Sequence, residues 1–251
     1  MGKRFEINQP VLYPPRLNLE SSKYQLSTWK KWNLVWRTVL NLKVPFLSSY
    51  KNFFQINIAY DYLSNSNFPK SIDWFSDALE LAKENKDSGY IATVLKHFGD
   101  LYVAQGDYKE SLNSYIQALE IAKIAKADNM IGDIYSSISL LYSDMDSTAQ
   151  CILYGKKALR FNLTTVYLYK VVSSCYNLGE IYRRQGNKDS AIYYFTKAVK
   201  YSEKESETNE TMKSYTLYMR NNSKLGLLRL SNDIVVSEKM CKEVLENAEK
   251  L

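Results

Sequence analysis

Glycine and proline are scarce in this chain of 251 residues, which contains nine and five of them respectively. Such a composition argues against a turn-rich all-β protein. Long apolar runs are also missing, since no stretch approaches the roughly 18 residues that a membrane-spanning helix needs. The basic first residues are not followed by an apolar run, so the sequence predicts no secretory signal.

Residues that commonly carry chemistry are few. Cys151, Cys175 and Cys241 are far apart and form no Cys-x-x-Cys pair, so we expect reduced thiols in a cytoplasmic compartment. The single histidine, His97, lies inside a predicted helix, where we expect a structural role. No glycine-rich phosphate-binding motif occurs, and the cysteines and the histidine lack the spacing of a metal site. We therefore expect no enzyme activity, no metal ion and no cofactor.

A period of 40 residues organises the middle of the chain. Five sets of positions recur at this interval: one of alanine, one of tyrosine, two of small residues, and one that is aromatic in three of its four members. The sets are Ala78, Ala118, Ala158 and Ala198; Tyr62, Tyr102, Tyr142 and Tyr182; Ala59, Gly99, Ser139 and Gly179; Ser71, Ser111, Cys151 and Ala191; and Phe75, Tyr115, Gly155 and Phe195. A repeat of this length predicts a stacked array of similar units.

The second unit shows how this pattern forms a helical hairpin. Gly99 lies on the same side of the first helix as Tyr102, three residues on, and its missing side chain lets the paired helix approach closely. On the second helix, Ser111, Tyr115 and Ala118 are spaced by four and three residues and share one face. The columns therefore predict the surfaces through which the helices interlock.

The turns between paired helices have their own column. It holds residues that favour helix N-termini: Asn67, Asp107, Ser147 and Asn187. Gly106 and Gly186 precede two of them, where a left-handed backbone ends the first helix. In the third unit Gly155 replaces the aromatic residue, and a glycine inside a helix costs about 1 kcal/mol relative to alanine. The sequence therefore predicts that the third unit is the least stable.

These residues resemble the tetratricopeptide repeat family over roughly residues 48–204. Ala191, Phe195 and Ala198 reproduce the pattern of the family's second helix. The resemblance implies an all-α, right-handed α-solenoid of stacked antiparallel helix pairs. The period of 40 residues is longer than the family's usual 34. It is similar to that of a long-helix subgroup found in polarity scaffolds of the Leu-Gly-Asn type, kinesin light chains and bacterial Rap-type regulators.

The sequence divides into three parts. Residues 48–204 hold the four repeats, and residues 205–251 predict a degenerate fifth helix pair that caps the array. Residues 1–47 are predicted to form an arm and a helix. This part is basic, because all of the chain's net charge of +6 falls within its first 50 residues. Trp29, Trp32 and Trp36 recur there at helical spacing. We expect this helix to cover the first repeat, and contact with an anionic membrane or with a partner protein is the alternative.

The resemblance implies that the first helices of the repeats line a concave groove that binds a peptide. One stripe of each first helix would face it, and from this stripe we predict the binding residues Tyr60, Lys96, Asp100, Asp133, Tyr176, Glu180 and Arg183. In the alternative, Lys96, Asp100, Glu180 and Arg183 only pair with one another. Cochaperone repeats hold a terminal carboxylate with a clamp of Lys, Asn and Arg. The corresponding positions here are Ile56, Tyr60, His97, Asp133 and Ser137, so the clamp is missing.

The sequence therefore predicts a non-enzymatic, cytoplasmic scaffold or adaptor whose partner is a protein or a peptide. Nucleic acid is not expected as a partner, because the basic residues are spread out and no recognition motif accompanies them. Two alternatives stay open. One is a peptide-responsive regulatory sensor of the Rap type, and the other is a membrane-peripheral assembly factor anchored by the tryptophan-rich helix.

Overall fold

The computed structural model describes residues 48–206 and 213–230, and within these ranges it consists of α-helices joined by short turns and has no strand. The helices are α1 (Ser48–Ser64), α2 (Phe68–Glu84), α3 (Ser88–Gln105), α4 (Tyr108–Ile124), α5 (Asp128–Asp144), α6 (Thr148–Asn162), α7 (Leu168–Arg184), α8 (Lys188–Ser206) and α9 (Lys213–Leu230). The predicted N-terminal tryptophan helix and the predicted last helix lie outside the described residues. None of the described helices is long and apolar enough to cross a bilayer.

Successive helices pack in pairs, which we call units 1 to 4: α1 with α2, α3 with α4, α5 with α6, and α7 with α8. The first helices of the units begin 40 residues apart, at 48, 88, 128 and 168, and so do the second helices, at 68, 108, 148 and 188. Helix α9 packs against both helices of unit 4, in the place of the next first helix. The predicted all-α repeat solenoid is therefore confirmed.

Close approach within a unit depends on a missing side chain. A Cβ atom added at Gly99 would overlap the ring of Tyr115, and one added at Gly179 would lie 2.7 Å from the ring of Phe195. These contacts confirm the predicted interlocking surfaces. Gly155 of unit 3 differs, because Leu178 of the next unit packs 3.0 Å from the position of its missing Cβ.

The turns follow the local sequence. Gly106 and Gly186 have φ angles of 81° and 74°, which confirms the predicted left-handed backbone. Asn67, Asp107 and Asn187 each accept a hydrogen bond from the backbone N–H three residues later. Ser147 also lies at the N-cap of its helix, as predicted, but its side chain makes no capping hydrogen bond.

This difference gives a matched pair of variants. We expect Asp107→Ala to lower the free energy of unfolding by about 1 kcal/mol, because the backbone N–H of Glu110 in the first turn of α4 would lose its acceptor. Ser147→Ala removes no such bond, and we expect a change of less than about 0.3 kcal/mol. Urea denaturation followed by circular dichroism measures both, and equal losses would contradict the assignment of the caps.

The packing between units makes the two faces of the solenoid different. First helices of neighbouring units contact each other: α1 contacts α3, α3 contacts α5, and α7 contacts α9. No two second helices of the described units pack as closely. The first helices therefore lie on the inside of the curve. We call their solvent-facing side the groove face, and that of α2, α4, α6 and α8 the outer face.

Candidate functional site

One row of equivalent positions runs across the groove face. Tyr60, Asp100, Leu140 and Glu180 are 40 residues apart and lie on the four first helices. Leu140 is 47% exposed, whereas the side chains of Asp100 and Glu180 are 22% and 19% exposed. The row therefore places an accessible apolar side chain between two carboxylates that are largely covered.

Asp100 is the centre of a polar cluster in unit 2. Its carboxylate accepts hydrogen bonds from Lys96 Nζ at 2.7 Å, from the Tyr115 hydroxyl at 2.8 Å and from His97 Nδ1 at 3.2 Å. Lys96 and His97 are buried, and the carboxylate itself is only partly exposed. Asp100 thus fixes both helices of the unit, since Lys96 and His97 lie on α3 and Tyr115 lies on α4.

The charges of this cluster explain its protonation states. Burial alone would raise the pKa of Asp100, but the nearby Lys96 ammonium and the hydrogen bond from His97 hold the pKa well below its usual range. Burial and then Lys96 lower the pKa of His97, despite the opposite effect of Asp100. Burial and then Asp100 raise the pKa of the Tyr115 hydroxyl. At neutral pH, Asp100 is therefore ionised, while His97 is neutral and donates through Nδ1.

His97 also joins unit 2 to unit 1. Its ring is 2% exposed and stacks on Phe75 of α2, with ring centroids 5.6 Å apart and an interplanar angle of 5°. Tyr60 of α1 meets the same ring edge-on at 5.6 Å. The predicted site residue Tyr60 therefore packs against the Asp100 cluster and contributes to the joint between the units.

A second ion pair joins units 3 and 4. Lys170 Nζ of α7 lies 2.7 Å from Asp133 Oδ2 of α5, and it also donates to the carbonyl of Asn129 at 3.4 Å. The sequence pointed to Asp133 but not to Lys170, because the two residues are 37 positions apart and only helix stacking brings them together. A search for complementary charges at equivalent turns of neighbouring first helices could have found the pair.

The remaining predicted residues lie on α7. Arg183 donates to Glu180 through Nη2 at 2.9 Å, so this pair lies within one helix. Tyr176 packs against Phe195, with ring centroids 6.1 Å apart, and its pKa is raised by burial and by Glu180. The pairing of Lys96 with Asp100 and of Glu180 with Arg183, which the sequence left as an alternative, is present in the structure.

These contacts decide what the groove face offers to a ligand. Asp100, Asp133 and Glu180 already have cationic partners within the chain. Around Leu140 the side chains of Ser136, Ser137 and Ser143 are small, polar and partly exposed, and Asp144, one turn later, is exposed. Within the described ranges, no group of three or more His, Cys, Asp and Glu side chains is placed to hold a metal ion. The surface around Leu140 is suited to apolar contact and to hydrogen bonding.

The stacked hairpins define a helical-repeat solenoid, a class of fold that presents an extended binding surface. Residues 53–124 and 172–205 match two models of the tetratricopeptide repeat. These two stretches therefore contain tetratricopeptide repeats.

Three known proteins illustrate the similarity. The chain is 24% identical to Tetratricopeptide repeat protein 29 of Macaca fascicularis over 136 residues, which are 54% of this chain and 29% of that protein. The chain therefore matches less than a third of this relative's length. The structure of BtubC (BKLC) from P. vanneervenii has a TM-score of 0.66 at 15% identity, covering 90% of this chain and 91% of that one. The apo form of RapI has a TM-score of 0.53 at 13% identity, covering 91% and 71%. At such identities the two structures show a shared fold alone.

Proposed function

We propose that this chain is a non-enzymatic scaffold that holds a peptide segment of a partner protein on its groove face. Its tetratricopeptide fold is that of protein-interaction scaffolds. The exposure of Leu140 at the middle of the groove face carries the proposal. In the described ranges, no other large apolar side chain of a first helix is as exposed.

The surroundings of Leu140 support an apolar anchor in the bound segment. Ser136, Ser137 and Ser143 occupy the neighbouring turns of α5, so no large side chain of this helix covers the leucine. A partner's apolar side chain could contact Leu140 there and remove both apolar surfaces from water, at about 25 cal/mol per Å² buried. The hydroxyl of Ser136 already donates to the Gly132 carbonyl at 3.1 Å, and the hydroxyls of Ser137 and Ser143 lie beside the leucine, where they can orient a peptide backbone.

The ion pairs of the groove face limit the chemistry of the segment. A charged ligand would have to compete with Lys96 for Asp100 and with Arg183 for Glu180, at distances of 2.7 and 2.9 Å. Separating such partly buried pairs costs more than an exposed ion pair returns. We therefore propose a segment with an apolar anchor and uncharged polar neighbours, held by Tyr60, Leu140 and Tyr176. The predicted residues Lys96, Asp100, Asp133, Glu180 and Arg183 then shape the groove.

Peptide display tests this proposal directly, because a random library itself supplies the binding segments. Peptides selected on the wild-type protein should bind Leu140→Glu at least about tenfold more weakly, because the carboxylate would be buried beside an apolar side chain. Leu153→Glu is the matched control, since Leu153 is 51% exposed but lies on the outer face. Fluorescence anisotropy measures both affinities.

Three outcomes would contradict the proposal: no peptide is selected, the peptides bind Leu140→Glu unchanged, or they lose affinity only with Leu153→Glu. Circular dichroism of each variant verifies folding, which neither change should affect, because both leucines are exposed. The two other functions that the sequence left open stay predictions. RapI shares only the fold, and Trp29, Trp32 and Trp36 lie outside the described residues.

A further inference from the structure

The outer face reverses its charge along the solenoid. At two sets of equivalent positions, the second helices of units 1 and 2 carry acidic or neutral residues, and those of units 3 and 4 carry basic ones. The sets are Asp77, Gln117, Lys157 and Lys197, and Glu80, Glu120, Arg160 and Lys200. Each set has members on α2, α4, α6 and α8 at the same level along the helix, because these helices begin 40 residues apart.

These charges differ from those of the groove face in having no ionic partner. In the part of the chain that the structure describes, Arg160 and Lys200 lie farther than 4.0 Å from any carboxylate. The same is true of Lys157 and Lys197, whose ammonium groups lie over the rings of Tyr154 and Tyr193 at 4.8 and 4.6 Å. Glu80 and Glu120 are exposed and likewise form no ion pair within those ranges.

We propose that two copies of this chain associate through their outer faces, about a two-fold axis that runs parallel to the helices between α4 and α6. Rotation about such an axis reverses the order of the units but keeps each residue at its level along the helix. Unit 1 then meets unit 4 of the second copy, and unit 2 meets unit 3. Glu80 faces Lys200, Glu120 faces Arg160, and Asp77 faces Lys197.

Two further pairs of exposed positions on units 1 and 4 agree with this arrangement. Ile72 would face Ile192, and these side chains are 37% and 41% exposed. Lys83 would face Glu203, another pair of opposite charges on exposed residues. Superposing the units in the same order would instead place Lys157 against Lys157. The two charged rows are therefore complementary in the reversed order and not in the same order.

The shape of the outer face sets the strength of the association. Because the second helices lie on the outside of the curve, two outer faces touch mainly along α4 and α6, and the contact is small. Small interfaces of this kind are weak and transient. The opposite charges on units 1 and 4 lie farther apart, but they still attract each other over a Debye length of about 10 Å at 0.1 M salt. We therefore expect a weak, salt-sensitive dimer in which both groove faces stay accessible.

Charge reversal on the full chain tests the dimer. Sedimentation velocity should show concentration-dependent self-association at about 0.1 M salt that disappears at about 1 M, where the Debye length is about 3 Å. The double variants Glu80→Lys with Glu120→Lys, and Arg160→Glu with Lys200→Glu, each place like charges at four pairs of facing positions. We expect each to weaken self-association by about tenfold or more.

Two further samples separate this contact from unspecific attraction. An equal mixture of the two double variants should associate again, because every contact of this row then joins opposite charges. A quadruple variant with all four changes exchanges the two signs and should associate like the wild type. The proposal would be overturned if the wild type does not self-associate, if the double variants self-associate as strongly as the wild type, or if their mixture does not associate. Circular dichroism shows whether each variant is folded.

Discussion

Asp100→Ala is expected to lower the free energy of unfolding by about 3 kcal/mol, because it leaves the buried Lys96 ammonium without its counter-charge. The change also removes the acceptor of the Tyr115 hydroxyl and of His97 Nδ1. These donors lie on both helices of unit 2, so the loss weakens the hairpin rather than one helix. Urea denaturation followed by circular dichroism measures the change.

Asp77→Ala is the matched control. Asp77 is exposed, and no ion pair or hydrogen bond holds it among the described residues, so we expect a change within about 0.5 kcal/mol. Similar losses in the two variants would contradict the central role of the Asp100 carboxylate in unit 2. A loss in Asp100→Ala that Asp100→Asn restores in full would show that hydrogen bonding, and not charge, stabilises the cluster.

The pH dependence of the free energy of unfolding has a predictable sign in the wild type and in Asp100→Ala. The folded pKa of Asp100 is held below that of an unfolded aspartate, about 3.9, so its contribution is fully present above that pH and is lost as the pH falls. The folded pKa of His97 is also lowered, so the unfolded chain binds this proton first as the pH falls below about 6.5. Stability should therefore decrease from neutral to acid pH, and the difference between wild type and Asp100→Ala should shrink below about pH 4.

The repeat could be predicted from the sequence because each of its features is local or periodic. Gly99 and Tyr115 belong to columns that recur in other units, and their contact forms within a single hairpin. Gly106 ends a helix for reasons contained in its own backbone angles. Ser147 shows the limit of such inference, because its residue type favours a cap that its side chain does not make.

The polar contacts of the groove face could be predicted only in part. Lys96, His97 and Asp100 share a helix face through their spacing, which the sequence shows. The distance between Asp133 and Lys170 depends on how unit 4 stacks on unit 3, which the repeat pattern alone does not define. Exposure was equally out of reach, since only the structure shows that the side chain of Leu140 is 47% exposed.

The aromatic side chain of Phe195 connects unit 4 to the helix that follows it. The ring is fully buried, and Cβ atoms added at Gly179 of α7 or at Gly226 of α9 would lie only 2.7 and 2.6 Å from it. Two glycines on different helices therefore leave space for one ring. Phe195→Ala is expected to cost about 4 kcal/mol, because the surrounding backbones cannot close the cavity without moving two helices.

The position of the cavity predicts where the structure weakens. In a solenoid each unit is stabilised mainly by its neighbours, so the loss at Phe195 should fall on α9 before it reaches units 1 and 2. Hydrogen exchange should show faster exchange in α9 and α8, with α3 and α4 unchanged. Tyr193 lies on the same helix, but its side chain is 53% exposed. We therefore expect Tyr193→Ala to lower the free energy of unfolding by less than about 1 kcal/mol. If the amides of α9 exchange at the same rate in Phe195→Ala and in Tyr193→Ala, then α9 is not held in place through Phe195.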